Sequence, residues 1–370
     1  MTIATLVVTI LLVEWLALGL VLSWGDTRTR GNAYFGLPLA ARRRVKRTLR
    51  LQARLLAPIL WAMRPLARFD FGKASFTIRG LAGPRGSCTP ASFEAAMDFV
   101  PAADDIIVAS QMKCGTTWLL YLVYQVLHHG RGRLVEDGQA LHGVIPWLEG
   151  VRTVPVAEAP RLGTERPSRV IKTHLPASHC PRATGARFLY VTRHPIACFA
   201  SATDFVRAAA APYPPTPAQL EAWFTDPERM WWGTWPAHVS GWWTRAAEDG
   251  NVLFLHYEEM QANLPAVIQR VVAFLGMTPP AADEVQVIAH TCSFGEMQRH
   301  REAFEMYPPH LGAPEPEGLR RGTSTRDRDV PPPTRERLAA WCCDAMREGP
   351  YPLTTQYPDL ASSLSPEPRP

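Results

Sequence analysis

Several common devices are missing from this sequence. No C-x-x-C occurs among Cys88, Cys114, Cys180, Cys198, Cys292, Cys342 and Cys343, and their number is odd. That argues against a disulfide framework and a zinc site, and favours a reducing compartment. Acid and base are nearly balanced at a formal charge of +5. Much of the excess lies in one block: Arg42, Arg43, Arg44, Lys46, Arg47, Arg50 and Arg54. A duplex-wide nucleic-acid surface is therefore not expected. Neither a zinc-finger pattern nor an RNA-binding aromatic motif is present, and no internal repeat is visible. The G-x-x-x-x-G-K-S/T phosphate loop is absent too. What remains is a chain of 370 residues, 46% hydrophobic. It suits one large α/β domain with accessories, or two small domains.

Residues 1–24, "MTIATLVVTILLVEWLALGLVLSW", carry a single charge, Glu14. As a helix this run reaches about 33 Å, against a hydrocarbon core of about 30 Å. No basic stretch precedes it and no small-x-small cleavage site follows, which favours a membrane anchor over a cleaved signal. A hydrophobic helix packed on the protein itself remains an alternative, and Glu14 in mid-span speaks for it. Residues 25–70 are basic and amphipathic. Their positive charge places that flank in the cytoplasm, either along an anionic membrane surface or as a solvated linker. A Golgi topology, with the domain in the lumen, fits these flanks less well.

From about residue 71 to 350 strand and helix patterns alternate. "FGKASFTIRGLAGPRG" holds a short strand with turns. "DDIIVAS", "SRVIKT", "ARFLYVTR" and "NVLFLHY" are expected strands; helices are expected over 116–129, near 195–207 and near 264–275. The predicted fold is a three-layer α/β domain, P-loop-like, with a central parallel sheet flanked by helices and preceded by a hydrophobic N-terminal helix. Residues 351–370, rich in Pro and Ser, are expected to be a flexible tail.

Three stretches carry chemistry. In "QMKCGTTW", 111–118, a strand meets a helix, so backbone N–H groups of 114–118 and the hydroxyls of Thr116 and Thr117 can face an anion. Lys113 adds charge, and Gly115 permits close approach. One glycine makes a small loop, suited to one phosphate with something attached; Trp118 can stack on a base. The alternative is a plain turn with a satisfied lysine. In "RVIKTHLPAS", 169–178, Lys172 and His174 fall at a strand's carboxyl end, where α/β sheets bind ligands. A histidine there suits a general base. In "FLYVTRHPIACFASATDF", 188–205, Arg193 and Ser201 can grip one phosphate together; an N-capping turn with a surface ion pair is the plainer reading.

Taken together, these stretches resemble the cytosolic-type sulfotransferase family, whose members use 3′-phosphoadenosine 5′-phosphosulfate (PAPS). "QMKCGTTW" is similar to its Y-P-K-S-G-T-T-W loop, "KTHLP" matches its catalytic-histidine segment, and "YVTRHPIACFAS" resembles its 3′-phosphate strand and helix. "VIPWLEG", "GTWPAHVSGWW", "LHYEEMQANLPAVIQRVVAFLG", "HTCSFGEM" and "LRRGTSTRD" follow in family order, so the likeness covers about residues 95–345. Cys114 stands where serine is common. The G-D-W after R-K-G is missing and the dimerisation motif is unrecognisable, which leaves the oligomeric state open.

The resemblance implies transfer of a sulfuryl group from PAPS to a hydroxyl or amine, leaving PAP, with no metal. It implies His174 as base, and Lys113 and Lys172 as catalytic cations. Nucleotide binding would fall to Lys113, Cys114, Gly115, Thr116, Thr117, Trp118, Arg193, Ser201, Tyr257, Ser293, Phe294, Arg320, Arg321 and Gly322. Trp147 and Phe205, with the tryptophans at 231–232, are candidates to line an acceptor pocket, or are ordinary core. The anchor and the basic segment point to a small lipophilic or lipid acceptor at a membrane. Two rivals are a P-loop nucleotide kinase and a non-catalytic membrane-bound nucleotide-binding protein. The first lacks the G-K-S/T and a magnesium carboxylate; the second does not explain Lys113, Lys172 and His174.

Overall fold

Four apolar runs of β-branched and large side chains build the central sheet. The computed structural model describes residues 2–28, 34–63, 69–305, 308–309 and 324–362. A hairpin, β1 (Ser75–Ile78) and β2 (Leu81–Pro84), precedes the sheet; one short strand was expected there. The sheet then takes β3 (Asp105–Ala109), β4 (Arg169–Thr173), β5 (Arg187–Thr192) and β6 (Val252–His256) in the order β4-β3-β5-β6. All three pairings are parallel. Alternate side chains serve opposite faces. Ile106 and Val108 enter the core shared with helices Thr116–Leu127 and Leu264–Leu275, whereas Ile107 and Ala109 enter the core shared with helices Pro90–Met97 and Trp235–Glu248. The result is three layers, as parallel strands buried on both faces require.

Because the pairings are parallel, the carboxyl ends of all four strands open on one edge of the sheet. Ala109 pairs with Thr173 and Tyr190, and Thr192 pairs with His256. That register brings Ser110, His174, Arg193 and Tyr257 to the same edge. The segment around Trp147 extends it: Leu148 N–H donates to Lys172 O, and Lys172 N–H to Pro146 O, both at 2.8 Å.

Ile3–Arg28 and Leu39–Met63 are helices. Among the described residues, no helix is long and apolar enough to cross a membrane. The second helix turns part of its basic face inward. Arg42 and Lys46 are buried and form ion pairs with Glu305, which also accepts from Tyr34 Oη at 2.6 Å. Lys46 reaches Glu302 as well, and Arg43 contacts Glu302 at 2.7 Å. This part of the basic segment is therefore neither a free linker nor wholly a membrane-facing surface.

The flexible tail is corrected for residues 351–362. They form two short helices, Leu353–Gln356 and Pro358–Ser362, with Tyr351, Leu353, Tyr357 and Leu360 buried. The Pro- and Ser-rich composition is outweighed there by aromatic anchors. Tyr351 accepts or donates at His256 Nε2 over 3.0 Å, and Asp359 meets His194 Nε2 at 3.1 Å.

Candidate functional site

The candidate phosphate-binding loop is set by two residues with left-handed backbone. Lys113 has φ +69° and Gly115 has φ +105°. Gly115 caps helix Thr116–Leu127, and a Cβ there would come within 2.6 Å of Tyr257 Cδ2. The Tyr257 ring therefore packs directly on Gly115 at the start of that helix. Thr116 Oγ1 is tied to Ser110 Oγ, which fixes the loop's entry to its exit. Cys114 Sγ is buried, 3.6 Å from Cys198 Sγ. The cysteine therefore serves as core beneath the loop, where a small apolar side chain fits.

His174 is 6% exposed. Its Nδ1 lies 2.9 Å from the carbonyl oxygen of Ser110. A carbonyl can only accept, so Nδ1 carries the hydrogen and Nε2 keeps its lone pair. Burial is the chief force holding the imidazole's pKa well below the usual range; Lys172, then His238 and Lys113, act in the same direction. The ring is flanked by Trp232 at 4.9 Å and Trp147 at 5.5 Å between centroids. A neutral imidazole with a free Nε2, walled by indoles, is what a general base needs at neutral pH.

Two residues not singled out in the sequence hold this histidine. Glu149 is fully buried; it accepts from His174 N–H at 2.6 Å and from Thr173 Oγ1 at 2.8 Å. Burial pushes its pKa up, while these hydrogen bonds pull it down. His238 Nε2 donates to His174 O at 3.0 Å, so its Nδ1 accepts from Tyr190 Oη at 2.8 Å. The signal was present: Glu149 lies in "VIPWLEG" and His238 in "GTWPAHVSGWW".

Lys172 is 5% exposed, and its ammonium stands 3.7 Å from the Trp147 ring centroid. Burial lowers its pKa to about 8, opposed by Glu149. Lys113 lies over the Phe205 ring at 4.7 Å, and Arg193 over Tyr257 at 4.4 Å. Ser201 is buried on helix Pro195–Ala209, the helix that follows Arg193. Trp118 Nε1 donates to Cys292 O at 2.8 Å, and its ring meets Tyr257 edge-on at 5.3 Å. Ser293 caps helix Phe294–Arg299, one step beyond that carbonyl. So Lys172, His174 and Trp147 cluster around one end of the site, and Gly115, Trp118, Arg193 and Tyr257 around the other. Arg320, Arg321 and Gly322 lie outside the described residues. No group of three or more His, Cys, Asp or Glu side chains among the described residues could hold a metal ion.

A parallel sheet with a glycine-capped anion loop, two lysines and a neutral histidine at one edge defines an enzyme of group transfer from a nucleotide donor. The comparisons name which group. The sulfotransferase domain family matches residues 103–348, and the chain belongs to that family. It is 27% identical to mouse sulfotransferase 1E1 over 218 residues, 58% of this chain and 72% of that protein. It is 28% identical to mouse sulfotransferase 2B1 over 251 residues, 66% and 71% respectively. Among solved structures, mouse sulfotransferase SULT7A1 complexed with PAP superposes with a TM-score of 0.56 at 21% identity, covering 78% of this chain and 99% of that one. Retinol dehydratase with androsterone and PAP gives 0.57 at 19% identity, covering 76% and 95%; these two likenesses show the fold. The protein is a PAPS-dependent sulfotransferase.

Proposed function

We propose that His174 Nε2 takes the proton from an acceptor hydroxyl as that oxygen attacks sulfur. The acceptor O–S bond forms, and the S–O bond to the nucleotide breaks. PAP leaves with the electron pair, which Lys113 stabilises on the bridging oxygen. Lys172 reaches the sulfuryl oxygens from its place over Trp147. Catalysis is then positioning plus electrostatics, as in phosphoryl transfer. Residues 114–118 cradle the 5′-phosphate; Arg193 and Ser201, with Arg320, Arg321 and Gly322, take the 3′-phosphate; Trp118, Tyr257, Ser293 and Phe294 frame the adenine. Trp147, Trp232 and Phe205 line the acceptor side. An amine acceptor would follow the same route.

The observation that supports this most is the 2.9 Å contact from His174 Nδ1 to Ser110 O, which leaves Nε2 as the basic nitrogen. The test is His174→Ala, assayed for sulfate transfer from labelled PAPS and for PAP binding. Transfer should fall while PAP affinity stays; unchanged transfer would remove His174 from the role.

The acceptor we favour is a lipophilic alcohol or a lipid, met at a membrane. Support comes from the exposed Leu6, Val7, Val8, Ile10, Leu11, Leu12, Val13 and Trp15 on the first helix. In this reading residues 1–24 anchor the chain, 25–70 link it, 71–350 form the sulfotransferase domain in the cytoplasm, and the last residues follow it. Liposome flotation of the full chain against residues 34–370 tests it; equal flotation counts against an anchor. Protease access in sealed vesicles separates the cytoplasmic from the lumenal topology.

A further inference from the structure

Two adjacent tryptophans turn to opposite sides. Trp231 enters the core, where its ring meets Trp223 at 5.0 Å and Phe71 at 6.0 Å between centroids, and its Nε1 donates to Ser75 Oγ at 2.8 Å. Trp232 turns the other way, and its ring stands 4.9 Å from that of His174 and 5.8 Å from that of Trp147. The parting is made by a left-handed backbone at Trp232, φ +60°, followed by Gly233 at φ +84°. Glycine takes that conformation freely. For a bulky side chain it is an outlier, which the surrounding contacts have to hold.

Gln111 supplies the hold. Its side chain is buried, and Nε2 donates to Trp231 O at 3.2 Å and to Gly233 O at 2.8 Å. Carbonyls only accept, so the NH2 end of the amide must face them, and both its hydrogens are used. The two carbonyls belong to the residues on either side of Trp232. One side chain therefore closes the turn from which the indole projects. Trp232 N–H is tied in turn to Ala82 O at 2.9 Å. At its own backbone Gln111 belongs to the candidate anion loop, for its carbonyl accepts from Cys114 N–H at 3.3 Å. The family's loop pattern begins with tyrosine where this chain has Gln111. A phenol has one hydrogen to give and could not donate to both carbonyls.

We propose that Gln111 is a positioning residue for sulfuryl transfer: through the Trp231–Gly233 turn it sets the Trp232 indole against His174 and so shapes the acceptor wall beside the base. It touches neither acceptor nor nucleotide with its side chain. Acceptor fit then depends on the amide at 111, while the nucleotide's own contacts do not. The inference rests on the sulfotransferase reading, in which the acceptor hydroxyl meets His174.

The test is Gln111→Met, which keeps the side chain's length and loses both donors, in the full chain labelled with 5-fluorotryptophan. The fluorine signal of Trp232, assigned by its loss in Trp232→Phe, should move in the PAP complex of the variant. With PAPS and 2-naphthol or 1-dodecanol, acceptor KM should rise by about tenfold, within the reach of two neutral hydrogen bonds. Turnover number and the KM for PAPS should stay within about twofold, as for a group that acts on acceptor binding alone. Gln111→Asn, a shorter amide, should fall between, and it is judged by the same readouts where Gln111→Met does not fold. In a Trp232→Ala background, Gln111→Met should add nothing to acceptor KM, because the tether acts through that ring. An unmoved Trp232 signal overturns the proposal, and so does a rise in acceptor KM that persists in full without Trp232. Absence of transfer by the unaltered chain strikes instead at the sulfotransferase reading, and the fluorine signal still judges the tether.

Discussion

His174 Nδ1 and the Ser110 carbonyl oxygen stand 2.9 Å apart, across the ends of two neighbouring parallel strands. The contact ties the candidate base to the first residue after β3, where the anion loop starts. The proposed nucleotide loop and the proposed base are therefore positioned by a single sheet register. A shift of one residue between β3 and β4 would turn His174 away from the edge.

Replacing His174 by Ala is expected to lower kcat by about a hundredfold to ten-thousandfold, the usual share of a general base. Calorimetry should show PAP affinity kept, since the loop's own contacts do not pass through the imidazole. Because His174 is held well below the usual range, kcat/KM should also not decline as pH falls through about 6.5, the ordinary imidazole value.

Lys172 sets the opposite limb. Its folded pKa, about 8, is below the unfolded value of 10.5, so the ammonium is lost as pH rises through about 8. Activity at low PAPS should fall there, and bound anionic nucleotide should move the fall upward. Lys172→Arg should abolish this limb, because a guanidinium keeps its charge. For stability the sign is reversed: below pH 8 the folded state bears the cost of a buried charge, and that cost fades between about 8 and 10.5.

Glu149→Ala removes the acceptor for His174 N–H and Thr173 Oγ1 and leaves Lys172 without its counter-charge. Loss of one partner from a buried charged set costs about 3 kcal/mol or more. A fall in Tm of several degrees is expected by calorimetry, and Glu149→Gln should recover part of it.

Gly115→Ala meets both a φ of +105° and the Tyr257 ring at 2.6 Å. Left-handed strain costs about 1–3 kcal/mol, and the ring must move as well. PAP affinity should drop by at least about tenfold, since 1.4 kcal/mol is a factor of ten. The double variant Gly115→Ala, Tyr257→Ala relieves the clash but not the strain, so its affinity should stay low.

The N-terminal segment is also part of the catalytic body. Arg42→Ala with Lys46→Ala leaves Glu305 buried without its cations, and should cost about 3–5 kcal/mol. Truncation before Tyr34 spares this cluster; truncation through residue 70 destroys it. Thermal melts of the two truncated forms should therefore differ, with only the longer deletion destabilised.

Much was legible because it is local. The four strands fall within a residue or so of the runs that predicted them, and helix Leu264–Leu275 lies where its pattern put it. Lys113, Gly115, Lys172, His174 and Arg193 follow from strand ends and loop residues. The packed tail was not legible, because Pro and Ser composition hides how Tyr351 and Tyr357 find a core far away in sequence. Nor was the inward turn of Arg42 and Lys46, since a basic helix looks alike whether it faces lipid, water or a buried Glu305.

The sequence by itself determined the alternation of strand and helix, the parallel sheet and the residue types at the strand ends, because hydrophobic period and turn chemistry act over a few residues. The tertiary structure alone decided the tautomer of His174, the enclosure of Lys172 beneath Trp147 and the burial of Arg42 and Lys46 against Glu305. Those depend on which groups, distant along the chain, share a buried space, and burial is what sets the proton affinity and the hunger for a partner of each.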